Sequence, residues 1–266
     1  MQIILSNILA IYRRELQSYF ASPFAYAIAA IFWLLSGFFF VIILLGPDGL
    51  LVQIAQRDQA GITEPPIDVP YQFLSIFLNL LGSLALFLLP MLSMGLYSEE
   101  RKRGTLELLA TSPVTNWAVA VGKLLGVLTF FITIVLPIMG FEAIAFSASN
   151  PPASFNVLLL GHLGLILMAA AVLSLGMFIS SLTDSTILAA ILTFALTMLL
   201  WITDLIANGV GGSLGEAIGH LSLIKHYSDL SRGVFNSSSL VLFASYTFLG
   251  LFLTAQSVEA FRFQRS

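Results

Sequence analysis

Charge is what this sequence has least of. Only 9% of its 266 residues are Asp, Glu, Lys or Arg, while 58% are hydrophobic, against about 25% and about 45–50% in soluble domains. A soluble fold of this length cannot hide so much apolar surface, so the composition reads as an integral membrane protein. Cysteine is absent, which excludes disulfides, thiol nucleophiles and thiolate metal sites. The net charge of −3 is too small to suggest a nucleic-acid partner. A G-x-x-x-x-G-K-[ST] phosphate loop is missing too. Gly209-Val210-Gly211-Gly212 has neither the lysine nor the strand–helix context, so the chain is not expected to hydrolyse ATP alone and binds no cofactor of its own. Without a G-x-S-x-G elbow, and with His162 as the one histidine well inside an apolar run, an intramembrane hydrolase is poorly supported.

What the chain does have is long charge-free runs. At about 20 apolar residues per crossing, roughly six spans fit. The expected spans are about 22–45, 70–97, 116–147, 154–180, 186–206 and 238–260. Ser22 and Pro23 suit a helix start, Gly46-Pro47-Asp48-Gly49 a stop, and Thr183-Asp184-Ser185 a tight polar connection with a capping residue. Pro137 predicts a kink in the third span. Residues 46–70, with Arg57, Asp58, Glu64, Asp68 and Pro65-Pro66, read as a water-exposed loop. Asn150-Pro151-Pro152 reads as a short turn.

Two further segments look helical without spanning. Ile4, Ile8, Ile11, Tyr12, Leu16 and Tyr19 fall at helical spacing, and Arg13-Arg14-Glu15 would interrupt a cleavable signal's apolar core, so 3–20 reads as an amphipathic interfacial helix. Leu214, Ala217, Ile218, Leu221 and Ile224 do the same within 208–236, an expected re-entrant segment at the outer interface. The chain is therefore expected to be one all-α membrane domain over 1–266. With the amino terminus inside, Arg13, Arg14, Arg101, Lys102, Arg103, Lys123, Arg262 and Arg265 face the cytoplasm and Arg57, Lys225 and Arg232 the outside, which accounts for all 11 basic residues. That bias predicts both termini in the cytoplasm.

The densest charge is the island Ser98-Glu99-Glu100-Arg101-Lys102-Arg103-Gly104-Thr105-Leu106-Glu107, between spans two and three. Glu99 and Arg103, and Arg103 and Glu107, are four apart, and Leu106, Leu109 and Ala110 make an apolar stripe, so a short amphipathic helix is expected over about 98–113, ended by Ser112-Pro113. Such a helix can fill a groove on a partner, or serve only as a solvated, positive-inside anchor.

This run from Tyr97 to Leu109, followed by Thr111-Ser112-Pro113-Val114 and Gly122-Lys123, resembles the permeases of type-2 ABC transporters. Arg14-Glu15-Leu16, Tyr19-Phe20, Ser22-Pro23 with Gly37, Phe178-Ile179-Ser180-Ser181-Leu182-Thr183, His226 and Arg232-Gly233 resemble the gliding-motility-type branch of that family. The tail Phe261-Arg262-Phe263 departs from the arginine–tryptophan pair expected there. The resemblance implies a six-span permease with an interfacial helix and a coupling helix, paired with a second permease, a copy or a paralogue. It also implies cytosolic ATPase chains that use ATP and Mg²⁺. Glu99, Glu100, Arg101, Arg103, Gly104, Thr105 and Glu107 would contact the ATPase, with Ser181, Thr183 and Asp184 as a lesser second contact. A bacterial inner membrane, an export direction and an extracytoplasmic accessory subunit docking on 46–70 are further expectations.

The remaining polar residues carry weaker expectations. Lys123 is expected to snorkel to the interface, and Glu142, about 16 Å from the midplane by helical rise, to lie at the outer boundary. His162 is a weak candidate for the substrate path, with a hydrogen bond to a neighbouring helix as its plainer role. A secondary carrier would need ionisable groups deep in its helices. An ATPase-driven force transmitter that moves no solute remains an alternative.

Overall fold

The computed structural model describes residues 2–62, 68–106, 114–147, 149 and 155–263. Glu64, Pro65-Pro66, Glu107, Leu109, Ala110, Ser112-Pro113, Asn150-Pro151-Pro152 and Arg265 lie outside these residues, and the expected Arg103–Glu107 pairing with them.

The described residues form helices and no strand: α1 (Gln2–Ala21), α2 (Pro23–Leu45), α3 (Leu50–Gln59), α4 (Val69–Ser93), α5 (Gly95–Lys102), α6 (Asn116–Phe146), α7 (Phe155–Leu182), α8 (Thr186–Val210), α9 (Gly212–Gly219), α10 (Leu223–Ser231) and α11 (Ser237–Phe263). Six segments are long and apolar enough to cross a bilayer: Pro23–Gln59, Val69–Lys102, Asn116–Phe146, Phe155–Leu182, Thr186–Val210 and Ser237–Phe261. Four of the six starts are set by short polar side chains that accept from orphan backbone N–H groups. Ser22 accepts from Ala25 at 3.4 Å, Asp68 from Tyr71 at 3.0 Å, Thr115 from Ala118 at 3.3 Å and Ser185 from Leu188 at 3.3 Å.

α7 is the axis of the bundle and packs against α4, α5, α6, α8, α10 and α11. Buried residues make up 72% of its apolar stretch, against 22% for α2 and 28% for α8 and α11, so those three face outward. No hydrophobic effect separates helix from lipid, and close approach at small residues does the work instead. A Cβ on Gly161 would sit 2.3 Å from Leu78, one on Gly176 2.1 Å from Ser93 and one on Gly250 of α11 2.5 Å from Ser174. Aromatic packing fills the side towards α2, where Phe40 meets Phe73 at 4.8 Å and Phe77 at 5.4 Å, while Phe38 of the same triplet is exposed. Trp33 donates its indole N–H to the Ile134 carbonyl at 2.8 Å, in the turn that Pro137 disturbs.

Two connections differ from their expected form. The 46–70 loop contains α3, because Gly49 can start a helix that buries Leu50 against α2. The 208–236 segment is two short helices. Gly211 and Gly212, at φ +64° and +62°, turn the chain sharply after α8, and Ser222 caps α10 by accepting from Lys225 at 3.3 Å. α10 then enters the bundle. The Tyr227 ring lies on Gly82, where a Cβ would come within 2.2 Å of it, and its hydroxyl donates to the Leu78 carbonyl.

Candidate functional site

The polar end of the molecule is organised around Lys123. It lies seven residues into α6, about 10 Å along the axis. It does not snorkel to the interface: only 3% of it is exposed. Its ammonium donates to Glu15 of α1 at 3.3 Å, Glu100 of α5 at 3.0 Å and the Leu96 carbonyl at 2.8 Å, and it lies 5.1 Å from the Tyr97 ring centroid. All three donors of the ammonium are thus used. The expectation failed because α1 covers the position. Gly122 and Gly126 flank Lys123 one turn apart, and Cβ atoms there would come within 2.8 Å of Ile11 and 2.7 Å of Glu15, so α1 lies directly on α6. The glycine pair lets the backbones approach, and Glu15 sits on the packed face of α1.

α1 is tied a second time at Tyr19, whose hydroxyl donates to the Leu92 carbonyl and whose ring stacks on Phe130 at 5.2 Å. Burial, then the charges of Glu15 and Glu99, push the Tyr19 phenol well above its ordinary pKa, so it remains a donor.

Among the described residues the island's expected helix is interrupted by a turn at 103–105. α5 continues α4 after a break at Met94 and stops at Lys102. Its end is a paired-turn cap in which Thr105 N–H donates to the Glu100 carbonyl at 3.0 Å and Gly104 N–H to Arg101 at 3.1 Å, with Gly104 at φ +69°. That left-handed position favours glycine and closes the helix one turn after Glu99. Leu106 is then buried.

The break at Met94 is filled from α7. Ser180 Oγ accepts from the Tyr97 and Ser98 amides, both at 3.0 Å, and donates to the Met94 carbonyl at 2.7 Å. A hydroxyl inserted into the backbone ladder both breaks the helix and satisfies the groups it frees.

The expected contact residues therefore separate into two sets. Glu99, Arg103, Gly104, Thr105 and Asp184 are exposed, and Thr183 is half-buried. Glu99 and Arg103 pair at 3.4 Å on that open surface. Glu100, Arg101 and Ser181 turn inward. Glu100 binds Lys123, Arg101 donates to the Ser181 carbonyl at 2.8 Å and lies over the Phe261 ring at 4.9 Å, and Ser181 Oγ donates to Ser257 at 2.9 Å. Glu107 is outside the described residues. Sequence reasoning missed Lys123, Glu15 and Ser180. The available signals were a lysine between two glycines one turn apart and a glutamate on the apolar face of an amphipathic helix. Ser180 carries no signal distinguishable from its neighbours.

His162 and Glu142 lie towards the opposite end. Glu142, expected at a boundary, is 0% exposed and faces His162 of α7, so protein rather than lipid or water surrounds it; His162, 2% exposed, bonds to Leu158 of its own helix at 3.0 Å rather than to a neighbour.

An all-helical bundle with six bilayer-length segments, carrying at one end an ion-linked polar corner, defines a multi-pass membrane protein that exposes a compact charged turn. Residues 62–206 match the family described as ABC-2 family transporter protein, and the chain belongs to that family. None of the curated proteins compared with the chain matches it. A member of this family is the membrane-spanning, non-catalytic subunit of an ATP-binding cassette transporter, and ATP hydrolysis resides in a cytosolic partner chain.

Proposed function

We propose that this chain is the permease of an ATP-driven exporter of the gliding-motility-type branch, working in a bacterial inner membrane with both termini in the cytoplasm. Its partners are a second permease, identical or paralogous, and ATPase chains that use ATP and Mg²⁺. The observation that carries this reading is the corner built on Lys123. The open face of Glu99, Arg103 and the Gly104–Thr105 turn is available to a partner, while Glu100, one residue away, is ion-paired into α6 and α1. A push on the turn would reach α6 and α1 through Lys123, and α7 through Ser180 and Arg101, so α4 and α6 would tilt as a unit and change which side the central path faces. Thr183 and Asp184, at the neighbouring connection, supply the lesser contact.

The test is the complex of this permease with its co-purified ATPase, reconstituted in vesicles. Substituting Glu99, Arg103 and Glu107 together by alanine is expected to leave the bundle folded and to uncouple ATP hydrolysis from transport. Full ATPase association with full transport in that variant would overturn the assignment.

A further inference from the structure

Glu142 of α6 and His162 of α7 are the second buried ionisable cluster, and the coupling corner does not use them. Glu142 is 0% exposed and neither of its carboxyl oxygens has a hydrogen-bond partner. His162 Nδ1 lies 3.0 Å from the Leu158 carbonyl, so that nitrogen carries the proton and donates it. His162 Nε2 has no partner. Glu142 Oε2 comes within 3.9 Å of Nδ1, near enough to feel the ring but beyond a hydrogen bond. An ionised carboxylate in this position would have no donor at all, an arrangement that burial penalises. A carboxylic acid beside a neutral imidazole carries no such charge.

The surroundings connect the pair to α4 and α10. Gly161 and Gly164 flank His162 and admit Leu78 of α4 and Leu230 of α10. Among the described residues, the titratable groups facing Glu142 are His162 and, from α10, Tyr227, whose phenol is close enough to feel a charge on Glu142. No lysine or arginine pairs with Glu142 among them.

We propose that Glu142 and His162 form a buried proton-binding site, with the proton resident on the Glu142 carboxyl and its occupancy linked to the seating of α10. The ligand is a proton. On release, the Glu142 O–H bond breaks, the proton passes to solvent base, and the carboxylate left behind is stabilised only if water reaches it. The path for water is the α10 seam, so release loosens Tyr227 and Leu230 from α4 and α7. This site stands apart from the coupling corner and does not depend on the transport assignment.

The absence of cysteine gives a clean background for the test. In the full chain in lipid nanodiscs, infrared spectroscopy is expected to show a carboxylic-acid C=O stretch near neutral pH that Glu142→Gln lacks and that alkali removes. As the pH is raised from neutral into alkali, maleimide labelling of Ser228→Cys on α10, normalised to Ser213→Cys on the exposed α9, is expected to rise several-fold, and to stay flat when combined with Glu142→Gln. Should Glu142→Gln fail to fold, His162→Gln replaces it and is expected to move the pH at which the band disappears. A band that is absent, that survives in Glu142→Gln, or that titrates unchanged in His162→Gln overturns the proposal, as does a labelling profile that Glu142→Gln leaves unaltered.

Discussion

α6 carries two buried ionisable residues, and their treatment is opposite. Lys123 has an acceptor for each of its protons and an aromatic ring beside it, whereas both oxygens of Glu142 are orphaned. A fully satisfied buried charge locks the elements that satisfy it, here α1, α5 and α6, into one geometry. An unsatisfied one marks a place where the chain has left room for something to come and go. The same helix thus has every donor matched at one end and two orphaned acceptors at the other.

Several measurements can break or sharpen that contrast. The largest effect is expected from Lys123→Met, which strands Glu15 and Glu100 in a nearly dry corner. Breaking one partner of a buried ion cluster costs about 3–5 kcal/mol, read as a fall in thermal midpoint of the purified permease. Neutralising all three residues together should recover part of that loss. If Lys123→Met and Glu142→Gln destabilise equally, the two sites are not opposites. Next comes Gly122→Leu, which would drive a side chain into Ile11 and lift α1 from α6. Overpacking costs about 1–3 kcal/mol, and limited proteolysis should then release α1 first. Ser180→Ala removes the acceptor of two backbone amides, at about 1–3 kcal/mol. Hydrogen exchange should quicken at Tyr97 and Ser98 and leave α6 unchanged.

The smallest effects belong to the surface and to the α9–α10 corner. Glu99→Ala with Arg103→Ala should change stability by no more than about 0.5 kcal/mol, as exposed pairs do, so any loss of coupling would be functional rather than structural. At the opposite end, burial lowers the His226 pKa from its ordinary value, and its ring bonds Ser239 at 2.9 Å and the His220 carbonyl at 3.2 Å. A histidine held neutral contributes stability that is intact above the unfolded pKa and shrinks as pH falls from about 6.5 towards the lowered folded value. Acid should therefore loosen the α9–α10 corner, and His226→Asn should flatten that limb.

The all-helical class and the six apolar segments were legible because charge in hydrocarbon is costly enough to mark every boundary it touches. Ser22 and the Thr183-Asp184-Ser185 connection announce helix starts by chemistry that needs only the next three residues, whereas Asp68, read as loop, caps α4 as well. The site was legible only on its exposed side. Glu99 and Arg103 pair along one helix, which spacing can reveal, but Lys123 and Glu142 owe their environments to α1, α7 and α10, which distance along a single helix cannot. Counting residues from a span's midpoint assumes water or lipid at that depth, and in both cases another helix stands there instead. The α3 helix escaped for the reverse reason: its charges pointed to a loop, although Leu50 had α2 to rest on.

The position of α7 has a consequence for how the molecule is made. It is the fourth of the six described bilayer-length segments, yet the long helix α11, which covers one of its sides, is the sixth. Ser174 donates to the Tyr246 carbonyl at 3.3 Å and lies where Gly250 leaves space, so the axis of the bundle stays open along one side until α11 is in place. A chain stalled before Ser237 would reach the bilayer with its core unroofed, and membrane proteases would find it there.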